Sequence, residues 1–239
     1  MANFYDILQN VCILAHEELP SSFSDSSDPY PEIKQYIKNT VEEICSKFPW
    51  TFREKKYELT TTATQREYTL PTGLLAANIL QDGIRIESFS KPLYFMNHYD
   101  LDKLILSSGK PYRYSVYSGK LILDPTPDDV YNVQIKYLTA NFATSADGLT
   151  EKSNLSLETD ISIIPDRHAK VIEWGTYSLY RQNFKPDEKY GLARNKFLEY
   201  LLDMQKEDGY GQDSSASINI DIQYNVNTAL LGDFFNPRT

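Results

Sequence analysis

The sequence is poor in the residues that staple or decorate a site: two Cys, three His and two Trp in 239 positions. Two thiols, Cys12 and Cys45, placed on different predicted helices, do not make a disulfide framework and fit a reducing compartment, as small buried side chains. No uninterrupted apolar run approaches the length that a membrane span needs. Residues 1–19 contain no Lys or Arg and carry Asp6, Glu17 and Glu18, the wrong charge for a secretory or organellar leader. Basic residues are also in deficit, 24 Lys and Arg against 33 Asp and Glu, a net charge of -9. A chain of that sign is not expected to hold phosphate backbones by counterion release, as a general nucleic-acid binder does.

The signatures of common chemistry are missing too. There is no Gly-rich phosphate loop, no Cys or His pair at metal spacing and no nucleophile-elbow Ser. His16, His98 and His168 are far apart, and His16 beside Glu17 and His168 after Asp166 and Arg167 read as solvated surface groups. Glu42-Glu43 and Asp128-Asp129 are adjacent carboxylates that point apart on a helix or strand, not an acid/base dyad. The expectation is a protein that is not an enzyme, with no catalytic, cofactor-binding or metal-binding residues and no cofactor.

What the sequence has is aromatic surface. Tyr, Phe and Trp number 18, 11 and 2, and a Tyr excess is common where wide surfaces meet other proteins. Tyr112, Tyr114, Tyr117, Tyr131 and Tyr137 crowd neighbouring strands, which fits cross-strand packing or, alternatively, a sugar-binding aromatic face. Arg53, Glu54, Lys55 and Lys56 form a mixed-charge patch that reads as a rim or interface element.

Residues 3–19 repeat apolar positions at helical spacing up to Pro20. Residues 28–31 then open a second helix carrying Ile33, Ile37, Val41, Ile44 and Phe48, stopped by Pro49. Beyond Trp50 the period shortens to that of strands: 57–62, 66–70, 79–86 with an Asp82-Gly83 turn signal, 112–117, 121–123 and 131–137. Ser118-Gly119 reads as a two-residue hairpin loop, and residues 97–107 allow one short helix. Residues 140–160 are polar and aperiodic, a surface loop. Helical spacing returns over 165–183 and 186–206, with Pro165 and Pro186 in first-turn positions and Gly209 at the stop. Trp50 and Trp174 are expected where helices meet the sheet. The order predicts an α+β fold: a four-helix bundle built from 1–49 and 163–207, an inserted antiparallel β domain over 50–162, and an extended C-terminal tail over 208–239.

That tail carries the sharpest local signal. After a tether rich in Gly and Ser, Ile218, Ile220, Ile222, Tyr224 and Val226 alternate with polar residues, the period of a strand. Its apolar face needs a cover: its own subunit, or a neighbouring subunit or partner by β-augmentation, unless it stays unpaired. Burying five apolar side chains yields about 10 kcal/mol and ordering nine residues costs about as much, so ladder hydrogen bonds and the high effective concentration of an assembly tip the balance. These five residues are the candidate partner-binding site.

Several segments together carry a resemblance: Phe48-Pro49-Trp50, the strand from Arg66 to Pro71, Gly119 to Pro127, the strand from Tyr131 to Tyr137, and the helix start Ile164-Pro165-Asp166-Arg167-His168. Over roughly residues 43–206 the chain resembles the head-to-tail adaptors of tailed bacteriophages, the family that includes the tail tubular protein A of short-tailed phages. The resemblance implies helices flanking a β domain and a homo-oligomeric ring of about a dozen copies. It implies a portal protein and a tail nozzle protein as partners, no membrane, and DNA passing through the channel without sequence-specific binding. It also implies a place at the head-tail junction of a virion assembled in the bacterial cytoplasm, no catalytic residues, and tails that reach toward the portal. An acidic lumen would let the duplex slide, because repulsion screened over about 8 Å does not grip phosphates. The alternative is a β-rich carbohydrate- or receptor-binding module of a phage tail.

Overall fold

The structure, a computed structural model, describes residues 2–184 and 189–208. Helix α1, Phe4–Ala15, opens on a capping box in which Asp6 N–H donates to the Asn3 side chain and Asn3 N–H to the Asp6 carboxylate. It stops four residues short of the predicted end. His16 turns left-handed at φ 57°, and the His16 and Glu17 N–H groups return to Ile13 and Cys12, so a local C-cap ends the helix before Pro20 can. Helix α2, Tyr30–Lys47, has a Pro in its first turn, where the missing N–H costs nothing. Helix α4, Ala169–Asn183, follows a single 3-10 turn at Asp166–His168, and α5 spans Lys189–Asp208. Pro186 and Gly209, the expected start and stop of that helix, lie outside the described residues.

Helices α1, α2, α4 and α5 share one apolar core, with Phe4, Ile37, Ile44, Tyr180 and Phe197 fully buried. Helix α4 is its centre and packs against each of the other three. It can do so because Gly175 has no side chain: a Cβ there would lie 2.5 Å from the Thr40 methyl of α2 and 2.8 Å from the Phe197 ring of α5.

The strand-rich middle forms two sheets. One has the order β1-β7-β3, with β1 Glu54–Thr60, β3 Ile79–Ile86 and β7 Asn132–Leu138 all antiparallel. The other has the order β2-β6-β5-β4, from Glu67–Thr69, Lys120–Asp124, Arg113–Tyr117 and Tyr94–Phe95, with β4 parallel to β5. Their inner faces enclose a second core that includes Tyr68, Leu121 and Leu123 on one side and Ile84, Ile86, Val133 and Ile135 on the other. Ser118 and Gly119, at φ 49° and 73°, make the two-residue hairpin between β5 and β6 that the sequence predicts. Asp82-Gly83 is no hairpin. It sits inside β3 as an irregularity in the register with β7, and a Cβ at Gly83 would lie 2.7 Å from the carbonyls of Leu80 and Lys136. The short helix foreseen within 97–107 is α3, His98–Leu101.

Residues 140–160 are more than a surface loop. Ala143–Thr144 (β8) is the middle strand of a small antiparallel sheet and pairs with Glu151–Lys152 (β9) on one side and Ile161–Ser162 (β10) on the other, and Ala143 and Leu155 are buried in the helical core. Its keystone is Asp160, whose buried carboxylate accepts from the N–H groups of Ser156 and Leu157 and from Lys152, while its carbonyl accepts from Phe4 N–H at 2.8 Å.

Candidate interaction surfaces

The two cores meet at a charged residue. Arg53, expected at a rim, is 6% exposed. Its Nη1 donates to the carbonyl of Cys45, near the end of α2, and its Nε and Nη2 donate to the carbonyl of Thr139 at 3.1 and 2.8 Å, just past β7. Carbonyl partners satisfy its donors without a counter-charge, and burial pulls the guanidinium pKa below its ordinary value. Trp50, 1% exposed, donates its indole N–H to the carbonyl of Ile44 and flanks the same junction. Trp174 is elsewhere: it is half-buried against Tyr177, beside Leu14 and Leu192 on the outer side of the helical core. The reason is its position on α4, on the side turned toward α1 and α5 rather than toward the sheets.

The far end of α5 is fastened to this junction. The Asp208 carboxylate accepts from Thr51 N–H at 2.9 Å and from Thr51 Oγ1 at 2.7 Å. Thr51 precedes β1 by three residues, so α5 ends beside the start of that strand. Among the described residues strand β1 is an edge: it pairs only with β7. Thr61 N–H donates to the carbonyl of Tyr131, and Thr139 N–H to the carbonyl of Arg53. Antiparallel alternation therefore turns the backbone groups of residues 55, 57 and 59 toward β7 and those of Lys56, Glu58 and Thr60 outward. Among the described residues no backbone hydrogen bond reaches that outward row. Tyr57 and Leu59 are half-buried at the margin of the sheet core, and Lys56 pairs with Glu58 at 2.7 Å on the open face.

Apolar side chains stand exposed on both cores. On the β side they are Tyr94, Phe95, Tyr99, Ile105 and Leu106, on or just after β4 and α3, and Phe95 lines an open cleft of about 400 Å³ with Tyr114 and Val116. On the helical side Ile13 and Leu192, 59% and 60% exposed, border a second cleft of about 320 Å³ floored by Trp174 and Tyr177. Exposed apolar side chains at the mouth of a cleft are candidate interaction surfaces. The five tyrosines singled out in the sequence do not make one face. Tyr114 and Tyr137 are buried in the sheet core, Tyr131 is half-buried with its hydroxyl on Asp128 at 2.6 Å, and Tyr112 and Tyr117 are exposed.

The titratable groups are dispersed. His16 is exposed at the end of α1. His98 stacks on Tyr117 with ring centres 4.1 Å apart and lies 3.3 Å from Asp102. His168, expected on the surface, is 9% exposed, because the 3-10 turn before α4 folds it inward; burial and neighbouring Arg167 lower its pKa. Cys12 and Cys45 are free and buried, and burial pushes their thiols up to about 11 and about 12. Among the described residues no three His, Cys, Asp or Glu side chains gather as a metal site would require. No described helix is long and apolar enough to cross a membrane.

Ile218, Ile220, Ile222, Tyr224 and Val226, the partner-binding residues expected from the sequence, lie outside the described residues. The features that sequence reasoning missed are the Arg53 clamp, the Asp208 anchor and the open edge of β1. A family model described as SU10 adaptor protein matches residues 2–219 of the chain. No curated protein matches it.

Proposed function

The chain belongs to the SU10 adaptor protein family of bacteriophage head-to-tail adaptors, and from this premise we propose that it is the ring-forming part that joins a portal to a tail. A structural component of a virion needs surfaces rather than chemistry, and the observation that carries the reading is the pair of exposed apolar surfaces, one on each core. Two different surfaces on one chain suit head-to-tail contact between identical copies, the kind of contact that closes into a ring. In this reading the helical core, with its small β8–β10 sheet, and the tail face the portal. The β unit, roughly residues 54–139, faces outward or toward the nozzle. About a dozen copies close the ring, as the resemblance to phage head-to-tail adaptors implies, and DNA passes through a channel whose net acidity repels phosphates weakly. Residues Ile218, Ile220, Ile222, Tyr224 and Val226 supply a strand for a partner's sheet edge.

Native mass spectrometry of the purified chain, alone and mixed with portal protein, tests this. A closed oligomer of about a dozen copies is expected. A monomer that stays monomeric with portal present overturns it, as does an assembled channel lined mainly by Lys and Arg.

A further inference from the structure

We propose that the open edge of β1 is the acceptor for residues 218–226 of a neighbouring copy, which add to it as an antiparallel strand. The inference rests on the ring reading above and names the contact that would hold the ring's copies together. Strand β1 is the longest edge whose outward row is untouched among the described residues: seven residues, no proline and no irregularity in its register with β7. The other edges are spoiled. Strand β3 is bulged, and Leu93 N–H already occupies the Ile84 carbonyl; β2 has three residues and β4 has two.

The open edge also matches the segment in pattern. Residues 218–226 are long enough to cover all seven positions of β1. Side chains alternate across a strand, so Ile220, Ile222 and Tyr224 would fall beside Tyr57 and Leu59, which are only half-buried at the margin of the sheet core. The polar face, with Asp221 as its single charge, would then lie beside Lys56. Lys56 and Glu58 otherwise serve to keep an edge from pairing indiscriminately, so specificity would come from the match of faces.

The place where α5 ends selects the donor. Asp208 is pinned to Thr51, at the start of β1. Docking antiparallel on its own β1 would require residue 218 to reach the Thr60 end, roughly 25 Å away by strand rise. The ten chain steps from Asp208 to residue 218, rich in Gly and Ser, have a root-mean-square span of about 17 Å, so serving its own edge costs the chain part of its conformational freedom. The edge of a neighbouring copy would be reached without that cost wherever its Thr60 end lies nearer to Asp208 than the chain's own.

The test uses the full chain. Chains carrying Glu58→Cys are mixed with chains carrying one Cys at Asn219, Asp221, Gln223 or Asn225, assembled and oxidised, and copy number is read on the same sample by native mass spectrometry. Cys12 and Cys45 are buried and do not compete. Disulfide-linked heterodimers at one or two of the four positions, absent when Glu87→Cys on the far side of the sheet replaces Glu58→Cys, are the expected result. Amide exchange at Lys56, Glu58 and Thr60 should be slow in the ring and fast in a chain ended after Asp208. Rings that form with no such link, or links that form only within one chain carrying both cysteines, overturn the inference and leave the ring reading standing. Failure to form rings overturns both.

Discussion

At the scale of single residues the strongest dependence on solution conditions lies in Asp160. Burial by itself would raise its pKa, but the Leu157 and Ser156 N–H groups and the Lys152 ammonium outweigh burial and hold the carboxyl down to about 2. A group depressed in the folded state stabilises the fold above its unfolded pKa of about 3.9, and that contribution is lost as the pH falls toward 2. The shift corresponds to roughly 2 kcal/mol at neutral pH. Asp160→Asn is therefore expected to unfold at lower urea than the parent at pH 7, with the difference shrinking through pH 4 and closing near pH 2. A urea series across that range checks it, and a gap independent of pH would mean that the ionised form is not what the loop holds. Arg53 illustrates the opposite arrangement. Its charge is permanent, so its clamp across the two cores is indifferent to pH, and a neutral side chain there would strand the carbonyls of Cys45 and Thr139.

At the scale of elements the helical core depends on how closely α4 approaches its neighbours. Gly175→Ala gains about 1 kcal/mol of helix propensity, yet the added methyl meets the Thr40 methyl and the Phe197 ring, both on residues with no exposed surface. Overpacking costs about 1–3 kcal/mol, so a net loss of roughly 1 kcal/mol is expected by chemical denaturation. Adding Thr40→Ser, which removes one of the colliding methyls and keeps the hydroxyl that Thr176 reaches, should restore part of it; full additivity of the two changes would deny the contact. Such closeness is not written in the sequence, where a Gly within a helical pattern gives no sign of the neighbours it admits. The four long helices were legible because their apolar positions repeat over many turns, and β7 because Val133, Ile135 and Tyr137 alternate cleanly. Residues 140–160 show only the signature of a loop because strands of two residues carry no period, and their order comes from one buried carboxylate. Residue type predicts a rim or interface place for Arg53 and a solvated one for His168, and gives no sign of the distant carbonyls, or of the folding turn, that takes them inside. The strand pattern in 218–226 was plain. Its acceptor was not, because which strand remains an edge depends on β1 meeting β7 some 70 residues later, a fact of tertiary pairing.

At the scale of the whole molecule the question is what each part of the chain is for. Among the described residues both cores close on themselves: the helical core takes its last contribution from Met204, and the sheet core takes none from beyond Tyr137. The helical end is tied off by Asp208 on Thr51, so ending the chain after Asp208 removes no described contact. Stability should then change by no more than about 0.5 kcal/mol, and circular dichroism and melting should be those of the parent. Assembly should not survive in the same way. If the alternating segment bridges copies, its loss removes a contact that the ring repeats at every subunit, and cooperative closure amplifies a modest loss per contact. The truncated chain is expected to sediment as monomers or short open oligomers at concentrations where the full chain forms rings. A truncated chain that unfolds would place the segment in its own subunit's core, and one that still closes into rings would move the burden of assembly to the exposed apolar surfaces around Phe95 and Leu192.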